Sequence, residues 1–160
     1  MENRKFQGCP GSIQKSFEKI KDTDENENTI DQISSELSHW PVQLHLVLPD
    51  AQYFRNKDIV IAADCSAYSY GNFHQKFLKN KSLVIACPKL DSGLETYVEK
   101  IITMIEVALI NTITIVRMQV PCCGGLTTIV NKAISKCNRK VPVKEIIISI
   151  NGEIIKEEWI

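Results

Sequence analysis

From residue 58 onward, short and nearly all-apolar runs alternate with longer amphipathic segments. The runs cover residues 59–63, 83–86, 113–116 and 146–150, and they are rich in β-branched side chains. Such runs are typical of strands that are buried on both faces of a sheet. The segments between them, 66–78, 94–109 and 125–136, are long enough for crossover helices. This alternation predicts a parallel sheet with right-handed connections.

The chain before residue 58 has a different pattern. Val42, Leu44, Leu46 and Leu48 alternate with other residues, which predicts one more strand, and helical spacing predicts short helices over 12–21 and 30–37. The link to residue 58 is too short for a crossover helix, so we expect this strand to pair antiparallel or to lie at an edge. The predicted fold is a three-layer α/β domain with a mostly parallel sheet of about five strands and flanking helices.

The domain organisation follows from length and one acidic segment. A chain of 160 residues fits a single globular domain. Residues 22–28 are acidic and amide side chains with nothing to bury, which indicates a solvated loop. We therefore predict an amino-terminal arm over 1–29, containing Cys9 and the acidic loop, and a single α/β domain over 30–160.

Charge and hydropathy exclude several classes of partner. Nineteen basic and nineteen acidic residues leave no net charge, so no basic field exists to attract nucleic acid or a membrane surface. The longest apolar stretch, 101–110, is interrupted by Glu106 and falls short of the ~20 residues of a spanning helix. The first residues contain no apolar stretch of a signal peptide. We therefore expect a cytoplasmic protein.

Four of the six cysteines directly follow predicted strands. Cys65 and Cys87 each follow one strand, and the vicinal pair Cys122 and Cys123 follows a third. The carboxyl ends of parallel strands meet at one edge of the sheet, where open α/β folds bind ligands. The helix that begins beside each thiol would stabilise the thiolate, which is the form that binds metals. The four cysteines are therefore candidate metal ligands.

Three other positions add to this candidate site or lie outside it. Cys9, in a Cys-Pro-Gly run, is a candidate fifth metal ligand if the arm reaches the sheet. Gly124 and Gly125 would let backbone N–H groups approach a cofactor. Cys137 lies at the opposite end of the last predicted helix, where packing is the expected role. Because free cysteines are often buried as small hydrophobes, packing is also the alternative for the other thiols.

The remaining polar candidates have weaker signals. His74 lies on the first predicted crossover helix near Phe73 and Phe77, and we expect a half-buried structural role for it. Asp64 and Asp91 lie beside Cys65 and Cys87, and we expect them to cap helices. The sequence contains no nucleotide-binding glycine loop and no nucleophile elbow.

Taken together, several motifs resemble the carboxyl-terminal domain of ferredoxin-type 4Fe–4S iron–sulfur proteins of anaerobes, across almost the whole chain. The amino-terminal ferredoxin module of those proteins is missing from this sequence. The resemblance implies an anaerobic redox context. The motifs are Gly-Cys-Pro-Gly-Ser at 8–12, Trp-Pro-Val-Gln-Leu-His-Leu-Val at 40–47, Ala-Ala-Asp-Cys at 62–65, Phe-His at 73–74, Ala-Cys-Pro-Lys-Leu-Asp at 86–91 and Pro-Cys-Cys-Gly-Gly-Leu at 121–126.

These observations lead to one hypothesis and two alternatives. The first is an iron–sulfur cluster, of the 4Fe–4S type, at the carboxyl edge of the sheet, serving electron transfer or redox chemistry with a redox protein such as a ferredoxin as partner. The alternatives are a metal-free thiol–disulfide redox protein that uses the vicinal cysteines, and a zinc-stabilised interaction module. Homo-oligomer formation is left open.

Overall fold

The computed structural model describes residues 9–17 and 33–160. Its main feature is a five-stranded sheet, and a separate two-stranded ribbon joins the amino-terminal segment to residues 39–40. The strands are β1 (Lys15–Ser16), β2 (His39–Trp40), β3 (Asp58–Ala63), β4 (Ser82–Ala86), β5 (Thr112–Met118), β6 (Val143–Ile148) and β7 (Ile154–Trp159). The helices are α1 (Ser66–Ser69), α2 (Leu94–Glu106) and α3 (Gly124–Lys136), and a π-helical turn covers His74–Leu78.

The sheet has the strand order β4-β3-β5-β6-β7. The first four of these strands are parallel, and β7 pairs antiparallel with β6. This is one of the two common doubly wound orders. The predicted α/β fold with a mostly parallel sheet of about five strands and flanking helices is confirmed.

The core lies on both faces of the central strands. All residues of β3 after Asp58 are buried, as sequences of parallel strands require. Helix α2 packs beside α3 and buries one stripe at helical spacing, from Tyr97 to Ile105. Cys137 is also buried, which confirms its packing role. Within residues 9–17 and 33–160, none of the helices has the length and apolar character needed to cross a membrane.

The two helices predicted before residue 40 are absent from the parts of those segments that the structure describes. Residues Pro10–Ser12 form one 3-10 turn, in which Ser12 Oγ donates a hydrogen bond back to the Cys9 carbonyl at 2.8 Å. The chain then enters β1 instead of a helix, because β1 pairs with β2. Residues 33–37 form no helix either. The acidic loop at 22–28 lies outside the described residues.

The predicted strand over 42–48 is a single bridge followed by a turn. Gln43 pairs with Ile85 beside β4, so this segment does lie at an edge. The N–H groups of Leu46 and Val47 then bond the Gln43 carbonyl, which closes a turn. Lys100 Nζ holds this turn by donating to three of its carbonyls at 2.7–3.0 Å. The alternation of leucines therefore reflects a turn with one buried side, and the fifth strand of the sheet is β7.

The first predicted crossover helix, 66–78, is interrupted. Helix α1 ends at Ser69, and the chain resumes helical structure only in the π-helical turn. Between the two, the hairpin at Gly152 packs against the Ser69 carbonyl, and Gly152 has a φ of 84° and no space for a Cβ. The predicted helix over 94–109 ends at Glu106, since Leu109 takes a φ of 56°.

The stability of the protein should fall as the pH drops from neutral, because of the buried His39. Its Nε2 accepts a hydrogen bond from the Leu83 N–H at 3.1 Å, and its ring stacks on Tyr53. Burial lowers the pKa of His39 from 6.5 to about 4. The unfolded chain therefore takes up a proton between these pH values and the folded protein does not, which costs roughly 2–3 kcal/mol of stability by pH 4.

Urea unfolding between pH 7 and pH 4 checks this expectation. The His39→Gln variant should be less stable at pH 7, but its stability should change less over this window. Equal pH dependence in the wild type and in His39→Gln would show that His39 does not cause the loss.

Candidate functional site

The carboxyl ends of the parallel strands create a crevice between β3 and β5. The chain leaves β3 toward β4 on one side of the sheet and later returns to β5 on the other side. The loops that follow β3 and β5 therefore diverge, and ligands of open α/β folds bind at such a switch point. Residues 64–66 directly follow β3, and residues 119–123 directly follow β5.

Three of the predicted thiols lie at this switch point. Cys65 and Cys122 are exposed, and Cys123 is buried at the start of α3. Burial raises the pKa of Cys123, a hydrogen bond with the Met118 backbone partly offsets this, and the neighbouring Cys122 and Cys65 raise the pKa further. The predicted stabilisation of a thiolate by the helix is therefore wrong for Cys123.

Cys87 belongs to a separate polar cluster after β4. Asp91 Oδ2 accepts hydrogen bonds from the Cys87 N–H at 2.9 Å and from the Tyr97 hydroxyl at 2.6 Å. Burial, the hydrogen bond to Asp91 and the charges of Asp91, Asp64 and Cys87 raise the pKa of Tyr97 far above its usual value. Asp91 therefore orders the loop after β4. The N-cap residue of α2 is Gly93 and no side chain caps the helix, so the predicted capping role is wrong.

The iron–sulfur function predicted from the cysteines is wrong. Among residues 9–17 and 33–160, no group of three or more His, Cys, Asp or Glu side chains is arranged to hold a metal ion. Cys65, Cys87 and the pair Cys122 and Cys123 follow three different strands, and Cys9 is exposed on the amino-terminal segment. The same finding removes the zinc module.

The thiol–disulfide alternative is not supported either. It depended on the vicinal pair, and the buried member of that pair, Cys123, has a raised pKa. A thiol of this kind is a poor nucleophile, because the thiolate is the reactive form.

The two glycines at the start of α3 differ in their surroundings. A Cβ on Gly125 would lie 2.9 Å from Pro88 Cβ, so this glycine lets α3 approach the loop after β4. A Cβ on Gly124 would meet no atom within 4 Å. Close packing therefore explains Gly125, whereas Gly124 is open, and their predicted role in binding a cofactor stays a prediction.

This difference gives a prediction with a matched control. Gly125→Ala should lower the free energy of unfolding by about 1–3 kcal/mol, because Pro88 is a rigid ring that must shift. Gly124→Ala should leave stability unchanged or raise it by up to about 1 kcal/mol, since alanine favours the helix. Thermal unfolding of the two variants checks this, and equal destabilisation by both would contradict it.

A cavity of about 210 Å³ lies beside the carboxyl half of β3 and β4, under the segment 66–78. Its walls are mostly apolar. Four lining residues carry a polar or ionisable group: Asp64, Ser66, Tyr68 and His74. Apolar walls with a few polar groups are the usual composition of a small-molecule site. The apolar walls include Val42, Ala62, Phe73, Leu78, Leu83 and Ile85.

Two of these four side chains already have hydrogen-bond partners, and Tyr68 is almost fully exposed to solvent. Ser66 Oγ donates to the Ala63 carbonyl at 2.6 Å, and His74 Nδ1 accepts the Glu36 N–H at 3.1 Å. Asp64 differs, because its Oδ1 is buried and has no hydrogen-bond partner among the described residues. A buried polar atom without a partner costs free energy, and in native proteins it often marks a functional position.

The environment of Asp64 disfavours its charge. Burial raises the pKa of Asp64, and the nearby Asp91 carboxylate raises it further. The expected capping role is wrong here as well, because Cys65, and not Asp64, is the residue before α1 and no side-chain cap is made. The sequence signal that could have indicated this site is an acidic residue placed directly after an entirely apolar strand.

The sequence of the chain was compared with known families and proteins. The family model of a Rossmann-like domain matches residues 51–160. A protein of Archaeoglobus fulgidus, described only as uncharacterized, is 29% identical over 119 residues, which cover 74% of this chain and 83% of that protein. No solved structure matches. The resemblance to ferredoxin-type proteins is not tested by these matches and stays a prediction. Since the family model covers more than half of the chain, the protein belongs to the Rossmann-like domain family.

Proposed function

We propose that this domain binds a small primary amine with an apolar body in the cavity beside Asp64. The ammonium group would donate a hydrogen bond to Asp64 Oδ1, and the apolar body would occupy the space under residues 66–78. The observation that carries this proposal is the buried, unpartnered carboxyl oxygen of a residue that lines an otherwise apolar cavity. A ligand that satisfies this oxygen removes a cost that the empty protein bears.

The local charges favour a cationic ligand. Asp64 and Asp91 lie close enough for their charges to interact. Both hydrogen bonds of Asp91 go to its Oδ2, from Cys87 and Tyr97, and neither donor is cationic. Lys100 donates to backbone carbonyls of the turn at 43–47. An ammonium ion at Asp64 would therefore relieve repulsion between two carboxylates, which a neutral donor does less well.

The size of the cavity limits the ligand. At about 210 Å³ it is smaller than the ~300–1,000 Å³ of sites for drug-sized molecules. A short branched or cyclic alkylamine matches this space, whereas a nucleotide does not. The cavity reaches the carboxyl end of β3 at Ala63 and Asp64, but it lies on the β4 side of β3 and not at the switch point between β3 and β5.

The direct test is binding of cyclohexylamine, with cyclohexanol as the neutral comparison. We expect cyclohexylamine to raise the melting temperature and to perturb the amide signals of residues 62–68, and cyclohexanol to do so more weakly. Ala67→Leu is the blocking variant, because Ala67 is exposed and lines the cavity, so a larger side chain fills the space without disturbing the core. This variant should fold normally and lose both effects.

The outcome that contradicts the proposal is equally definite. If no amine of this size perturbs residues 62–68, or if Ala67→Leu binds as well as the wild type, the cavity is not the binding site. Asp58→Asn at the opposite end of β3 serves as the control for nonspecific attraction of amines to carboxylates, because Asp58 lies outside the cavity and already accepts a hydrogen bond from Thr112.

We also propose that the protein acts in the cytoplasm. All six cysteines are free thiols, and three of them are exposed. Such thiols persist in a reducing compartment and tend to form disulfides in an oxidising one.

A further inference from the structure

The two edge strands of the five-stranded sheet differ in whether other backbone segments pair with their outer sides. Beside β4, the Leu44 N–H donates to the Ile85 carbonyl and the Ile85 N–H donates to the Val42 carbonyl, both at 2.9 Å. That edge is covered. At the other edge, β7 pairs only with β6, and no described strand covers its outer side. An uncovered edge strand presents backbone N–H and carbonyl groups that can pair with another chain.

The pairing with β6 determines which backbone groups of β7 face outward. The Ile160 N–H donates to the Val143 carbonyl at 2.9 Å, and Glu158 lies opposite Glu145 in the register. In an antiparallel pair, hydrogen-bonded positions alternate along each strand. The backbone groups of Glu158 and Ile160 therefore face β6, and those of Glu157 and Trp159 face outward.

The side chains of β7 are unusually apolar for an exposed edge. Ile155 is 55% exposed, Trp159 is 62% exposed and Ile160 is 51% exposed. A bulge opposite Ile147 and Ile148 also leaves Ile155 without a partner residue in β6. Between these apolar residues lie Lys156, Glu157 and Glu158.

We propose that β7 pairs antiparallel with β7 of a second copy of this chain, with Glu157 at the two-fold axis. Within one chain Lys156 forms an ion pair with Glu158 and lies 3.9 Å from Glu145. In this register Lys156 also faces Glu158 of the second copy, and Ile155 faces Trp159 of the second copy. Each contact occurs twice, as two-fold symmetry requires. Opposite charges and an aromatic beside a β-branched side chain are favourable cross-strand pairs. The result is one continuous ten-stranded sheet.

Like charges directly opposite each other disfavour the two neighbouring registers. An axis at Lys156 would place two lysines opposite each other, and an axis at Glu158 would place two glutamates there, and like charges directly opposite are destabilising. An axis at Glu157 places the Glu157 carboxylates of the two copies opposite each other. Each of them already forms ion pairs with Lys144 and Lys76 of its own chain. The charge that faces the axis is therefore largely neutralised.

A charge-swap experiment tests the pairing. The wild type should sediment as a dimer at high concentration and dissociate on dilution. Glu158→Lys should be a folded monomer under the same conditions, because lysines 156 and 158 then oppose each other across the interface. The double variant Lys156→Glu, Glu158→Lys should again be a dimer. Circular dichroism confirms that each variant is folded.

Amide hydrogen exchange tests the register. The amides of Glu157 and Trp159 should exchange rapidly in dilute protein and slow at least tenfold when the dimer forms, whereas those of Glu158 and Ile160 should be slow in both. If Glu158→Lys does not fold, Glu157→Pro replaces it, because that N–H faces outward and its loss breaks no bond to β6. The proposal is overturned if the wild type stays monomeric, or if Glu158→Lys or Glu157→Pro still forms the dimer.

Discussion

Asp64→Asn should abolish amine binding. The variant keeps the shape of the side chain but removes the charge that holds the ammonium group. Loss of one partner from a buried charge pair costs at least about 2 kcal/mol, so the affinity for cyclohexylamine should fall roughly thirtyfold or more. Isothermal titration of Asp64→Asn beside the wild type measures this. An unchanged affinity would show that the carboxylate does not hold the ligand.

The same substitution should remove a pH-dependent loss of stability in the empty protein. Because burial raises the pKa of Asp64, the folded protein binds its proton more tightly than the unfolded chain does. The contribution of Asp64 to stability therefore falls as the pH rises from the ordinary pKa of an aspartate to the raised pKa of the folded state, opposite in sign to the contribution of His39. Asp64→Asn should lack this loss, while the control Asp58→Asn should keep it. Urea unfolding of both variants at several pH values measures this. If the free energy of unfolding changed with pH equally in Asp64→Asn and Asp58→Asn, the loss would not come from Asp64.

Arg117→Met should produce a large loss of stability. Glu145 on β6 is only 5% exposed, and its Oε1 accepts hydrogen bonds from Arg117 Nε at 2.9 Å and from Thr127 Oγ1 at 2.6 Å. Burial alone would raise the pKa of Glu145, but the hydrogen bonds from Thr127 and Arg117 hold it below its usual value. Without Arg117, the carboxylate stays buried without its main counter-charge. The expected cost is about 3–5 kcal/mol.

A double-mutant cycle separates this pair from general packing. Arg117→Met combined with Glu145→Leu should be much more stable than Arg117→Met alone, because no buried charge is left without a partner. Chemical unfolding measures all four proteins of the cycle. Additive losses in the double variant would mean that Arg117 contributes by packing and not by its charge.

The sequence was most informative where burial is strongest. Strands β3 to β6 were predictable because parallel strands covered on both faces must be apolar along their whole length. Strand β7 was missed for the opposite reason, since Lys156, Glu157 and Glu158 reflect an exposed edge. The alternation at 42–48 resembles a strand, but the turn held by Lys100 buries Leu44 and Val47 and leaves Leu46 and Leu48 exposed.

The site was less predictable than the fold. Topology correctly places Cys65, Cys87 and Cys122 after the ends of parallel strands, but it does not fix where each side chain points in its loop. The loop after β4, for example, directs the Cys87 N–H to the Asp91 carboxylate, which the sequence did not indicate. The role of Asp64 was missed because its desolvation depends on a cavity formed by residues 42, 73–78 and 83–85, which are distant in sequence.

The most direct test of the account is a pH titration of the Asp64 side-chain carboxyl by carbon-13 NMR, with and without cyclohexylamine. Asp64→Asn identifies the signal by its absence. We predict that Asp64 titrates above the usual range for an aspartate in the empty protein. A saturating amount of cyclohexylamine should lower the pKa of Asp64, because the ammonium group stabilises the carboxylate. A pKa in the usual range that does not change with the amine would contradict the proposed site.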